Sequence, residues 1–285
     1  MQKNVYLTFD DGIEPGTAEV LEVLRRNHIR ATFFITGINT LYTVEENRQT
    51  VVGVFNQICN DHVVANHSFS HAHGFYSSYY SKGLLINNVG KRISVLEDFI
   101  KNESYFREQL GICPAIFKKI GRLPGRNTWC LSADTLSKVF LKKNIDRDSL
   151  LATEELSNHG YDLFVWNDEW KMDFTFATEG RIARDKSIHN GVMDYSDPRI
   201  VYPKFDMYSK MNIDKDRVSE SWEEVVGRII ASPLQNYVLL LHDRAFRYSK
   251  HRTDTHDLEL LIKYLKSFGV VFKGLDTYNQ NRSNN

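Results

Sequence analysis

The sequence predicts an α/β protein, an incomplete barrel of about seven parallel strands. Three observations carry this. Short β-type runs alternate with helical patterns along the chain, as in parallel α/β folds. Some runs are apolar throughout, as strands buried on both faces are. The chemistry-bearing residues fall at the carboxyl ends of those runs, the face on which α/β barrels place catalysis. The 285 residues, 42% hydrophobic and 25% charged, have the composition of a folded domain. They are read as one domain over 1–275, with an excursion or lid at about 171–217 and a tail at 276–285.

Asn4 to Phe9 reads as the first strand. A helix from about Thr17 to Asn27 follows, with Val20, Leu21, Val23 and Leu24 on one face. Ala31 to Ile35 is an apolar strand, and helical sequence around Asn47 to Cys59 leads to a strand near His62 to Asn66. Ile86, Val89, Ile93, Leu96 and Ile100, spaced by three and four, predict the longest helix. Strands are expected near Ala115–Ile120, Asp162–Trp166, Tyr237–Leu241 and Val270–Phe272. A helix around Trp222 to Ile230 precedes the Tyr237 strand. Another, carrying Leu258, Leu261, Ile262 and Leu265, stops at Gly269. The Ser-, Tyr- and Phe-rich stretch His73–Lys82 reads as a loop.

Lys+Arg and Asp+Glu are equal at 36 each, so the basic excess of a phosphate-backbone binder is missing and nucleic acid is not an expected partner. No apolar run approaches the ~20 residues of a membrane span. The chain opens on Met1-Gln2-Lys3-Asn4 without an apolar signal segment. That predicts a cytoplasmic protein if the sequence is full length, and an envelope or secreted one if an export signal was removed. Cys59, Cys113 and Cys130 are an odd number, expected as buried thiols rather than a disulfide framework.

Five motifs carry chemistry. Thr8-Phe9-Asp10-Asp11-Gly12 ends the first strand with two adjacent carboxylates, whose joint burial requires a cation or a proton. Alone it reads equally as a surface turn. His67-Ser68-Phe69-Ser70-His71 spaces two imidazoles by four, which on a helical turn lets both bite one metal. A solvent-exposed pair is the plain alternative. Arg122-Leu123-Pro124-Gly125 offers a guanidinium to orient a carboxylate and backbone N–H groups close to a ligand. Asp168 and Glu169 stand between Trp166 and Trp170, whose rings either stack on a sugar or fill core. Leu240-Leu241-His242-Asp243 delivers one His at the end of a buried-type strand.

In this order the five resemble the motifs of the NodB-homology polysaccharide deacetylases, carbohydrate esterase family 4, from about Val5 to Phe272. The resemblance implies a distorted (β/α) barrel and metal-dependent removal of N-acetyl groups from sugars, a hydrolysis of linear amide C–N bonds. By position it implies that Asp11, His67 and His71 hold one divalent metal, usually zinc. Asp10 would be the general base, His242 the general acid and Arg122 the group orienting Asp10. Backbone near Gly125 would help hold the oxyanion, and Asp168 or Glu169 would support His242 or Arg122. Many members carry an aromatic residue where this chain has Gly125, so one wall of the pocket is expected to be missing. Tyr76 and Tyr79, after the metal ligands, are expected with Trp166 and Trp170 to stack on a sugar, the plain alternative being that the loop tyrosines pack onto the barrel.

The expected partner is a carbohydrate bearing N-acetyl groups. A second reading is a deacetylase or deformylase of a lipid-linked or nucleotide-linked amino sugar. Two His and one carboxylate also suit a non-haem iron oxygenase, but that leaves Asp10, Arg122 and His242 without roles. Adjacent acids on one strand point apart, which disfavours a glycosidase using Asp168 and Glu169. A sugar-binding protein that had lost catalysis would be expected to lack a ligand or the base, and all are present.

Overall fold

The computed structural model describes residues 2–74, 76–85, 92–111, 119–131, 147–172, 217–248 and 254–278. Strand β1 (Asn4–Asp10) lies at the centre, every residue after Asn4 buried. Side chains alternate across a strand. Accordingly Val5, Leu7 and Phe9 pack outward into the larger apolar core, whereas Tyr6 packs inward with Phe34, Ala65, Ile120, Phe164 and Val238. Helix α1 (Thr17–Arg26) covers the outer layer with Val20, Leu21, Val23 and Leu24.

Strands β2 (Thr32–Ile35) and β3 (Val63–Asn66) follow in parallel, joined by helix α2 (Gly37–Asp61). This helix begins ten residues before the Asn47 expected from periodicity, because two helices abut at the non-helical Asn47. After β3 come a short 3-10 turn (His71–Gly74) and helix α3 (Tyr76–Lys82), where a loop was expected. Tyr79 and Tyr80 turn inward and make α3 a packed element.

The predicted long helix through Ile86 to Ile100 is corrected. Strands β4 (Leu84–Leu85) and β5 (Arg92–Ile93) pair antiparallel, so Ile93 belongs to a strand. Helix α4 (Val95–Gln109) starts only after Ser94, whose side chain caps Glu97 N–H while Glu97 reaches back to the Ser94 N–H. This reciprocal cap fixes the start where periodicity does not. Ile86 and Val89 lie outside the described residues.

Strand β6 (Ile120–Gly121) stands where Ala115–Ile120 was expected, residues 115–118 lying outside the described ones. Helix α5 (Arg147–Asn158) leads to β7 (Asp162–Leu163), and β8 (Asp168–Glu169) follows directly. Helix α6 (Trp222–Ala231), β9 (Asn236–His242), helix α7 (Asp254–Ser267) and β10 (Val271–Phe272) complete the described chain.

The large sheet runs β7-β6-β3-β2-β1-β9-β8, all parallel, with β10 beside the start of β1. It is an open barrel of seven strands in sequence. The chain passes straight from one edge, β7, to the other, β8, and so spans the gap itself. At the mouth of the excursion Met172 bridges Val218, and buried Arg217 pairs with Asp254 at 3.3 Å. The rest of the excursion, 173–216, lies outside the described residues. Tyr278 packs against Tyr6, Trp129 and Phe164. Cys130 is a buried thiol, as expected, but Cys59 is disulfide-bonded, which corrects the expectation of a buried thiol there.

Candidate active site

The inward rows of β1 and β9 end in Asp10 and His242, which stand side by side in the parallel register. Residues paired in such a register share a face. Glu169 therefore shares the inward face of Leu240, and Asp168 the outward face of Leu239. Ala65, paired with Phe34, points inward, and two residues on stands His67.

Asp10 is 3% exposed, and its Oδ1 accepts from Arg122 Nη1 at 2.6 Å. Arg122 is fully buried and also donates to Thr8 Oγ1 (3.0 Å) and to the carbonyls of Phe164 (3.1 Å) and Val165 (3.0 Å). Its guanidinium lies 4.0 Å from the Phe34 ring centroid and 5.5 Å from that of half-buried Trp166. Burial pushes the Asp10 carboxyl up to about 7, Arg122 pulling against it and Asp11 adding to it. Glu169 is also raised to about 7, by burial and then by Asp10.

Asp11 adopts φ 76°, a left-handed conformation that Asp tolerates better than most residues. This turns its carboxylate back beside Asp10. The turn falls on Asp11 rather than on Gly12, whose role is space: a Cβ there would lie 2.6 Å from Asp243 Oδ2. Asp11 Oδ1 lies 3.1 Å from His71 Nε2 and 3.6 Å from His67 Nε2, while Oδ2 accepts from Arg244 Nη1 at 2.6 Å. Burial favours a neutral Asp11, but His71, Arg244, His242 and His67 together hold its carboxyl well below the usual range.

The two His do not share an α-helical turn. His67 leaves β3, and Ser68 and His71 both take left-handed φ (65° and 50°), so the rings converge through a loop, centroids 5.0 Å apart. His67 Nδ1 lies 2.8 Å from the Arg122 carbonyl. A carbonyl only accepts, so the hydrogen sits on Nδ1 and Nε2 keeps its lone pair. Burial lowers both His67 and His71 to about 4, so both are neutral near pH 7.

Ligand atoms of Asp11, His67 and His71 lie within 4.8 Å of one another, and buried Asp11 Oδ1 has no hydrogen-bond donor. Two neutral imidazole nitrogens and one orphaned carboxylate oxygen fit a divalent cation. His242 ends β9 with burial lowering its imidazole to about 3.

The structure separates the remaining expected residues. Asp168 faces outward and is engaged there, accepting from Arg228 Nε at 2.7 Å and Tyr237 OH at 3.1 Å. Trp170 is 1% exposed and edge-on to Phe246, its indole N–H donating to the Glu220 carbonyl at 3.0 Å. It fills core, as does Tyr79, fully buried with its hydroxyl on Asp98. A ring sealed on all sides has no face for a sugar, so Tyr79 and Trp170 leave the candidate binding surface. Tyr76 stays, its ring 5.9 Å from that of His71 and at 87° to it. Gly125, at φ +61°, lies under this ring: a Cβ there would come within 2.8 Å of three Tyr76 ring atoms. The wall expected to be missing is thus supplied from α3.

Arg244, which holds Asp11, escaped the sequence reading because it follows His242 at a position with no periodic signal. Glu14, fully enclosed and 3.4 Å from the same guanidinium, was missed for the same reason.

Residues 1–119 match the polysaccharide deacetylase family model. Over 71 residues the chain is 38% identical to the peptidoglycan-N-acetylmuramic acid deacetylase PdaA of Bacillus subtilis, covering 25% of this chain and 24% of that protein. Over 119 residues it is 33% identical to a peptidoglycan-N-acetylglucosamine deacetylase of Bacillus cereus, covering 41% and 51%. The chain thus spans between a quarter and about half of the length of these relatives. A family 4 carbohydrate esterase from Streptococcus mutans has a similar fold, TM-score 0.56 at 20% identity over 96% of this chain and 86% of that one. The PdaA structure gives 0.52 at 17% identity over 99% and 82%. The residues that match the polysaccharide deacetylase model are those that hold Asp10, Asp11, His67 and His71, and the fold is similar to that of family 4 carbohydrate esterases along nearly the whole chain.

Proposed function

We propose that this protein hydrolyses N-acetyl groups of amino sugars in a cell-wall or chitin-type glycan. The observation carrying this is the convergence of Asp11, His67 and His71 beside the Asp10–Arg122 pair, at the carboxyl ends of parallel strands. The relatives are named as deacetylases of peptidoglycan and of chitin saccharides, which favours a glycan over a lipid-linked or nucleotide-linked sugar.

In this reading Asp11, His67 and His71 hold one divalent metal, zinc being the metal that such a donor set usually takes. When bound, the metal polarises the acetyl carbonyl and acidifies water. Asp10 takes a proton as water attacks the carbonyl carbon, its free oxygen aimed by the Arg122 clamp. Backbone near Gly125 faces the developing negative charge. The C–N bond breaks as the amine nitrogen receives a proton from His242, giving acetate and a free amine. His242 is neutral in the resting protein, so it takes up a proton from solvent as negative charge develops and passes it to the amine, and Asp10 afterwards returns the proton it took from water to solvent. Glu169, on the inward face, is the acid that supports the Asp10–Arg122 pair, and Tyr76 and Trp166 border the substrate.

The compartment proposed is an oxidising one, the envelope or outside, since disulfides such as that of Cys59 persist there. The function is tested by acetate release from N-acetylated chitin oligomers and peptidoglycan together with metal analysis. His67→Ala and His71→Ala are expected to lose both metal and turnover, and Asp10→Asn turnover alone. Stoichiometric metal in both His variants, or wild-type turnover in Asp10→Asn, would refute the assignment.

A further inference from the structure

The loop between the two His has little regular structure to hold it. Ser68, His71 and Ala72 all adopt left-handed φ (65°, 50° and 54°), a conformation costly for non-glycine residues. Its backbone N–H groups are nonetheless satisfied one by one. His67 donates to the Ile35 carbonyl (3.1 Å) and Ser68 to Asn66 Oδ1 (2.9 Å). Phe69 donates to the Asp98 carbonyl (3.2 Å) and Ser70 to Asp98 Oδ2 (3.3 Å). His71 donates to Ser68 Oγ (3.0 Å) and Ala72 to Ser70 Oγ (3.1 Å).

One side chain outside the loop recurs. Asp98, in the first turn of α4 and fully buried, also accepts from Ser70 Oγ at 2.7 Å and Tyr79 OH at 3.0 Å. Ser70 Oγ in turn accepts from Ala72, next to His71. Asp98 thus grips the loop through backbone and side chain between the two imidazoles, and it reaches neither of them. Buried carboxylates are costly unless their hydrogen bonds do something. Here those bonds offset the backbone strain that brings His71 round to His67.

We propose that Asp98 is a positioning residue for the metal centre, setting the affinity of the Asp11–His67–His71 site by holding the loop between its His ligands. This rests on the reading that these three residues bind a metal. A partner beyond the ligands usually changes metal affinity about 10–100-fold.

The test is the zinc affinity of the full-length folded protein, read by competition with a chromophoric chelator well below the melting temperature. Asp98→Ala is expected to weaken zinc binding by about tenfold or more. Asp98→Asn keeps an accepting oxygen and is expected to restore affinity to within a few-fold of the original protein. Leu261→Ala, which opens the outer core away from this loop, is expected to lower the melting temperature yet bind zinc as the unmodified protein does. Unchanged affinity in Asp98→Ala, or an equal loss in Leu261→Ala, overturns the proposal. Should Asp98→Ala fail to fold, Ser70→Ala removes the same contact from the loop side, and unchanged affinity there overturns it equally. No zinc uptake by the unmodified protein would overturn the metal reading itself, a distinct failure.

Discussion

Replacing Arg122 by Met tests both the architecture and the chemistry of the site. Arg122 is fully enclosed, and its guanidinium serves Asp10, Thr8 and the carbonyls of Phe164 and Val165. Breaking a buried ion pair by removing one partner costs roughly 3–5 kcal/mol. Each carbonyl left without a donor adds about 1–3 kcal/mol unless water enters. Met fills part of the volume and the apolar contact with Phe34, so a loss of at least about 3 kcal/mol in urea-induced unfolding is expected. The electrostatic consequence is separate. Arg122 is what pulls Asp10 down against burial and Asp11, and with it Asp10 stands at about 7. Without it Asp10 rises further and stays protonated at neutral pH, unable to take a proton from water. Turnover should fall by about 10²–10⁴-fold, the usual contribution of a positioned base. The acid limb of the pH–rate profile should move upward, with metal still bound. Arg122→Lys, which reaches Asp10 but not all the carbonyls, should lie between. A destabilisation under ~1 kcal/mol, the range of an exposed pair, would refute the buried-clamp account. An unmoved acid limb would refute Asp10 as the titrating base.

Three further outcomes follow from the geometry. Trp170→Ala should act through stability alone, costing about 3–5 kcal/mol as an emptied core site, whereas Tyr76→Ala should lower kcat/KM for a glycan with little change in Tm; calorimetry beside kinetics separates them. Gly125→Ala should destabilise by about 1–3 kcal/mol and raise KM, because φ +61° strains Ala and its Cβ displaces the Tyr76 ring; an unchanged KM and Tm would refute the contact. His62, buried against Phe33 with Nδ1 accepting from the Ala31 N–H at 3.3 Å, is lowered to about 4 by burial. The unfolded chain therefore binds the extra proton between about 6.5 and 4, so this contribution is whole above pH 6.5 and is lost as pH falls through that window, at most about 3 kcal/mol. Its NMR signal should not titrate above pH 5, and an ordinary midpoint near 6.5 would refute the burial.

The parallel α/β class, the order of the strands along the chain and the residues delivered at their carboxyl ends were legible from local pattern alone. Strand alternation and helical spacing are local, so Val20, Leu24, Leu258 and Leu261 betray their buried faces without help from the rest of the chain. The paired acids Asp10 and Asp11 and the two His four apart were legible in the same way. Periodicity misled where a cap overrode it: Ser94 starts α4 after Ile93 has already paired in a strand. It also could not show that two His spaced for a helix converge through a left-handed loop tied to Asp98, since the hydrogen bonds come from 28 residues away. Which of two adjacent acids faces the site was decided by register, a relation between β8 and β9 that neither strand contains alone. Whether an aromatic ring binds or packs was decided by enclosure: Trp170 and Tyr79 share their residue types with Trp166 and Tyr76, and only neighbours distant in sequence seal the first pair off from any ligand.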